Sequence, residues 1–421
     1  MTTPLLNKFL DTEEKKKFIA NFFSLATLQG LNYILPLLTL PYLVRILGTE
    51  KFGILAFATA IVSYFIVLTD YGFNFTATRE VSLNRENSEK LDEIFSSVMI
   101  IKFALFVISL FILTFLIVFF DKFSVDPWLY YLTFGTVLGQ ILFPVWFFQG
   151  VEQMRYITII NIISKFFFTI AIFLVVKHSS DYLLVPFLTS LGAIFAGIYS
   201  LILIRKNFKI RFKFQKLNVI LSYLKGGSNL FCTSVLSNLL VSSGTVILSF
   251  VSTNTVVGYY SAAEKLFRAI VGLFTPITQA LYPISCRKVN QEGGAKSYIK
   301  KLAIIIGGAG LLVGVTIAIF SEKIVTLVYG VTFQSYSYIL AIMMIWLFFG
   351  VINNIIGIQY LSASRKDKFY TSSFIVAALV TVLLNLVLIP HLLINGVLIS
   401  MITGEILLSI CMLALIFRFK L

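Results

Sequence analysis

The sequence is poor in charge. Of its 421 residues only 13% are Asp, Glu, Lys or Arg, and 19 acids stand against 34 bases. Soluble domains carry about a quarter charged residues, so this chain lacks the means to cover itself with a water-facing surface. Cysteine is scarce: Cys232, Cys286 and Cys411 are scattered, with no CxxC and no metal-ligand spacing. They read as small buried hydrophobes. The two histidines, His178 and His391, fall in separate short loops and make no metal site by themselves. HExxH, GxSxG, a P-loop and an acidic pair outside the hydrophobic segments are all missing. No catalytic residue, metal or cofactor is expected.

Hydrophobic residues make up 58% of the chain, 42 of them phenylalanine, and the mean hydropathy is +0.93. An all-α integral membrane protein follows. A bilayer core needs about 20 apolar residues per helix, and that ruler gives twelve candidate spans. They run over 18–46, 53–74, 94–120, 128–149, 157–176, 182–204, 226–251, 259–284, 301–320, 335–361, 370–390 and 392–417. The N-terminal stretch has Lys15, Lys16 and Lys17 before a span of full length and no small-residue cleavage site. It reads as a first transmembrane helix rather than a signal peptide.

Loop charges orient the spans. With both termini cytoplasmic, 25 of the 34 Lys and Arg residues fall on the cytoplasmic side, 5 outside and 4 within spans. The stretch "RKNFKIRFKFQKLNVILSYLK" (205–225) alone holds seven bases and no acid. The net charge of +15 is therefore mostly topology, and no nucleic-acid partner is needed to explain it. The same stretch divides the chain into two lobes, 1–215 with helices 1–6 and 216–421 with helices 7–12. The halves look related: "LGTEKFGILAFATA" (47–60) is similar to "VSTNTVVGYYSAAEK" (251–265), each leading to a glycine, Gly53 and Gly258. "RYITIINIISKFFFTIAIFLVV" (155–176) matches "FYTSSFIVAALVTVLLNLVLI" (369–389) in position and flanks. Six helices per repeat keep the halves parallel, an architecture of transporters.

Charges inside the spans carry the functional information, since each facing lipid costs about 2.5–3.5 kcal/mol on insertion scales. Lys102 and Lys165 each lie roughly 12 Å in from the cytoplasmic side. They read equally as cavity residues or as lysines that snorkel to the headgroups. On the eighth span Glu264, Arg268 and Lys265 fall at roughly 0°, 40° and 100° around the helix, one contiguous face. That cluster is either a self-contained ion pair steadying helix packing or the wall of a cationic cavity. Glu405 stands mid-span as a candidate for proton uptake or helix–helix hydrogen bonding. Asp70 sits at a membrane edge as a charge-balancing residue within reach of Arg79. The amides Gln29, Asn32, Gln140, Asn161, Asn353, Asn354 and Asn385 either line a sugar path or bridge helices. Without the peripheral Asp70, the deep charges sum to a positive interior, which favours an anionic substrate.

With these residues in view, the chain resembles a known family. Pro36 and Pro41, "RILG" (45–48), "FG" (52–53), "DYGF" (70–73) and "ATRE" (77–80) are similar to the polysaccharide-flippase branch of the multidrug/oligosaccharidyl-lipid/polysaccharide exporter (MOP) superfamily. "WFFQGVEQMRY" (146–156) and "GYYSAAEKLFRAI" (258–270) extend the resemblance over both halves. It implies a MATE-like fold and a bacterial inner-membrane flippase of the O-antigen (Wzx) type. The implied cargo is an undecaprenyl-diphosphate-linked oligosaccharide, moved by alternating access of two lobes, often with proton or sodium coupling. Membrane lipids and polysaccharide polymerase machinery are the implied partners. Related lipid II flippases use basic residues in a central cavity, and by position Arg268 is the counterpart here. The first helix departs from that branch, with Gln29 and Asn32 and no mid-helix arginine. Two other readings remain open. A membrane glycan polymerase or ligase needs a large outer loop, and these are short. A multidrug cation exporter of the same fold needs an acidic interior.

Overall fold

The computed structural model describes residues 12–289 and 295–419, with side chains from Leu38 onward apart from a few positions between 229 and 296. Gln29, Asn32 and Pro36 lie outside the described side chains. Among the described residues every regular element is a helix. The α-helices are α1 (Thr12–Asp70), α2 (Phe73–Leu83), α3 (Ser88–Phe119), α4 (Asp121–Ser124), α5 (Pro127–Leu142), α6 (Val145–Gly150), α7 (Met154–Val175) and α8 (Leu184–Asn207). After the basic linker come α9 (Leu217–Val251), α10 (Asn254–Gly272), α11 (Thr275–Val289), α12 (Ala295–Leu302), α13 (Gly308–Ile319), α14 (Ser321–Tyr329), α15 (Ser337–Asn353), α16 (Asp367–Leu392) and α17 (Ile394–Arg418). Short π-helical segments, with their wider i→i+5 bonding, join α12 to α13 (Ala303–Gly307) and extend α15 (Asn354–Ser362).

Ten helical segments among the described residues are long and apolar enough to cross a membrane, against twelve expected from sequence. One of the ten runs Leu38–Leu83, where the chain passes from the first expected span to the second through a single non-helical residue, Gly48 (φ 74°). The eighth expected span, 259–284, is absent from the ten: its helix α10 carries three charges, Glu264, Lys265 and Arg268, and the span is broken in two. α10 stops at Gly272, and α11 restarts at Thr275 with proline in its second position, where a helix needs no N–H donor.

Two compact units divide the chain. One combines Ile61–Val235 with the residues through Thr39; the other combines Leu40–Ala60 with Leu236–Leu421. The chain changes unit at three places, 39/40, 60/61 and 235/236. Segment 40–60 belongs with α10 because Gly53 and Gly258 pack against each other's helices. A Cβ on Gly53 would lie 1.8 Å from the Asn254 carbonyl oxygen, and one on Gly258 would lie 2.0 Å from that of Thr49. The same spacing in sequence separates Thr49 from Asn254 and Gly53 from Gly258, so the contact repeats the internal similarity of the chain. Without a hydrophobic drive between helices in lipid, such close backbone approach supplies the packing energy.

In the first unit the residues 216–235 are held by the "DYGF" turn. Tyr71 and Gly72 both have positive φ, Tyr71 stacks on Phe231 at 4.6 Å, and a Cβ on Gly72 would meet Leu230 Cβ at 2.9 Å. Trp146, Phe147 and Phe148 of "WFFQG" are fully buried among Phe95, Tyr156 and Phe208. Thr78 of "ATRE" donates to the Trp146 carbonyl at 3.2 Å. The linker after α8 is pinned to the start of α3: Arg211 N–H donates to Asp92 (2.8 Å), Lys213 N–H to Ser96 Oγ (2.9 Å), and Lys213 Nζ pairs with Asp92 at 3.0 Å.

The glycine contact yields a direct expectation. Gly258→Ala forces apart α10 and the segment after Gly48, costing about 1–3 kcal/mol as overpacking, or more because the obstacle is backbone. Thermal unfolding of the purified protein in detergent should show a lowered midpoint, and an unchanged midpoint would refute the contact.

Candidate functional site

Five helices of the second unit, α9, α10, α15, α16 and α17, enclose a cavity of about 220 Å³. Its wall includes Tyr260, Glu264 and Arg268 from α10, Trp346 from α15, Asn385 from α16 and Glu405 from α17. The i,i+4 spacing of Glu264 and Arg268 stacks them on one helical face. Arg268 donates from Nε (3.0 Å) and Nη2 (2.5 Å) to Glu264 Oε1, and Nη2 also reaches the Val241 carbonyl at 3.4 Å. Glu264 Oε2 accepts from Thr245 at 3.4 Å. The Glu264 side chain is 12% exposed and that of Arg268 43%, so the arginine stands at the mouth of the cavity.

Glu405 is placed by α15. Asn353 donates to its Oε2 at 2.5 Å and to its backbone carbonyl at 2.9 Å, while accepting from Ser409 at 2.6 Å. The cavity thus holds one guanidinium and two carboxyl groups. Of the four bases singled out in the sequence, Arg268 alone lines this cavity.

The remaining charges lie elsewhere. Lys265, on the adjacent face of α10, sits 4.7 Å from the Phe52 ring centroid in a cation–π contact and is not part of the cavity wall. Lys102, 5% exposed, pairs with Asp70 at 3.0 Å in the first unit. It does not snorkel, and Asp70 turns to it rather than to Arg79, which lies 3.6 Å from Glu80. Lys165 is exposed on α7 beside the exposed Phe166 and Phe167. Of the amides, Asn353 and Asn385 bridge helices, Asn161 bonds within its own helix, Asn354 accepts from Gln359, and Gln140 is exposed. Sequence reasoning missed Tyr260 and Trp346. Tyr260 lies one turn before Glu264, a spacing that could have marked it; nothing in the sequence sets Trp346 apart from the other aromatics.

Comparison with known proteins adds to this geometry. The family model described as "Polysaccharide biosynthesis protein" matches residues 18–289. A protein of Escherichia coli (strain K12) named "Putative O-antigen transporter" is 32% identical over 371 residues, 86% of this chain and 88% of its own length. The solved structure of a lipid II flippase, MurJ, in an inward closed conformation aligns with a TM-score of 0.70 at 18% identity, over 96% of this chain and 87% of that one. An inward-facing multidrug resistance MATE family transporter of the MOP superfamily gives 0.69 at 13% identity, over 92% and 95%. At these identities the two structures bear on fold, and the fold is of the MATE-like type that the sequence suggested.

The buried pair of the first unit can be tested by a double-mutant cycle. Asp70→Ala strands the Lys102 ammonium and should cost about 3–5 kcal/mol. Adding Lys102→Met should recover most of that loss, as read by denaturation in detergent. Additive effects of the two changes would show that the residues do not act as a pair.

Proposed function

The chain belongs to the polysaccharide biosynthesis protein family, and from that premise we propose that it flips lipid-linked polysaccharide repeat units of the O-antigen kind. It is a transporter and not an enzyme. The cargo in this reading is an undecaprenyl-diphosphate-linked oligosaccharide, carried from the cytoplasmic to the periplasmic leaflet of a bacterial inner membrane. Twelve spans in two six-helix lobes, both termini cytoplasmic, alternate in access to the two sides. The polyprenyl tail stays in lipid while the polar part passes through protein, and polysaccharide polymerase machinery receives the product.

The observation that carries this reading is the Glu264–Arg268 pair opening onto a polar cavity inside a membrane-spanning bundle. Charge held there against the cost of burial supports passage of a polar cargo that hydrocarbon would exclude. Arg268, at the mouth, contacts the phosphates, with Glu264 balancing it in the unloaded protein. Lys265, Lys102 and Lys165 contribute positive potential, Lys102 with Asp70 as its counter-charge. Glu405 takes up and releases the coupling proton, with sodium as the alternative ion.

A multidrug cation exporter is a second reading favoured by one observation, the two carboxyl groups against one base in the cavity. The two readings part on one substitution. Arg268→Ala, in a strain lacking its own flippase, should lower surface glycan at least about tenfold at wild-type protein level, a loss of ~1.4 kcal/mol of effective interaction. Normal glycan display would remove Arg268 from the transport path. Loss of cation resistance in Glu264→Gln, with glycan display intact, would favour the exporter.

A further inference from the structure

The cavity of the second unit carries more polar surface than its ion pair uses. Asn385, 2% exposed, donates its Nδ2 to Ser243 at 3.0 Å and leaves Oδ1 without a hydrogen-bond partner among the described residues. A buried acceptor left so costs about 1–3 kcal/mol, and buried polar groups are otherwise almost always satisfied. The Tyr260 hydroxyl and Glu405 Oε1 likewise have no partner among the described residues, while Glu405 Oε2 is fixed by Asn353. Three polar groups thus converge on one space. Beside them stands the Trp346 ring, steadied edge-on against Phe267 at 5.0 Å.

Charge and size say what fits. Arg268 already serves Glu264 with two N–H groups, and Glu405 adds a second carboxyl, so the interior offers acceptors and no surplus base. A diphosphate gains nothing by entering. A neutral ring rich in hydroxyl donors satisfies Asn385 and Glu405, meets Tyr260 with either a donor or an acceptor, and lays its C–H face on indole. At about 220 Å³ the cavity lies below the roughly 300–1,000 Å³ of sites that take drug-sized ligands. That is room for one sugar ring and too little for an oligosaccharide.

We propose that this cavity is a subsite for a single sugar residue, held by Asn385, Glu405 and Tyr260 against Trp346, with the phosphates remaining outside at Arg268. The assignment rests on the reading that the chain carries lipid-linked glycan, and it divides that cargo between the mouth and the interior of one site.

The test uses the full chain in lipid nanodiscs and acrylamide quenching of tryptophan fluorescence. The Trp346 contribution is obtained by subtraction of Trp346→Phe. D-galactose or N-acetyl-D-glucosamine at saturation should reduce quenching of Trp346 at least about twofold, as expected for a ligand that fills a pocket. Sodium pyrophosphate should not. Asn385→Leu should abolish the protection, and Tyr260→Phe, a milder change, should weaken sugar affinity about 3- to 10-fold. Protection by pyrophosphate alone, by neither sugar, or by sugar equally in both variants overturns the subsite. Flipping of a lipid-linked oligosaccharide in proteoliposomes of the same protein separates the two assignments. Wild-type flipping without sugar protection removes the subsite and leaves the transport reading; sugar protection without flipping does the reverse.

Discussion

A charge enclosed by helices and hydrocarbon has to be answered within a few ångströms, and the second unit is arranged around that requirement. Arg268 is answered by Glu264, Glu264 in turn by Thr245, and Glu405 by Asn353. Each answer comes from a different helix or a different turn, so the pairs also fix how α9, α10, α15 and α17 face one another. The first unit obeys the same rule with Lys102 and Asp70. Lys265 is met by an aromatic face, the Phe52 ring at 4.7 Å, a weaker partner than a carboxylate in direct contact.

Compensation also explains why a cavity can exist there at all. A bundle filled with apolar side chains would close on itself, as the layer of Leu340, Met343, Leu347 and Val351 does on α15. Ion-paired and amide side chains hold fixed distances and do not collapse into the gap. The space beside them is left by geometry that hydrogen bonds defend, and its wall is correspondingly specific about what it accepts.

Much of this was legible in the sequence, and the limits are physical. Class and span positions follow from runs of apolar residues, a one-dimensional property. The similarity around Gly53 and Gly258 was visible as well, although its meaning, two backbones in mutual contact, needed the fold. The Glu264–Arg268 pair was readable because helical periodicity alone brings the two together. Asp70 and Lys102 were not, since 32 positions separate them and two helices must pack before they meet. The break between α10 and α11 escaped because length and hydropathy were satisfied by the pair of short helices together. Trp346 and Asn385 join the cavity through tertiary packing, which no local pattern announces. A count of interior charges along the spans gives their number and not their pairing, which takes packed helices to establish.

The π-helical extension of α15, Asn354–Ser362, lies directly after the asparagine that holds Glu405. Its i→i+5 bonds enclose one more residue per closed loop than the α-helical ladder on which it is built. Such a surplus is transferable: when a carbonyl exchanges one N–H for its neighbour, the extra residue passes along the chain, and the side chains it crosses turn by about 100°. Gln359, buried within the segment, accepts from Ser285 and donates to the Thr278 carbonyl, while Asn353, just before the segment, holds Glu405. The segment is thereby tied at both ends, to α17 through Asn353 and to α11 through Gln359.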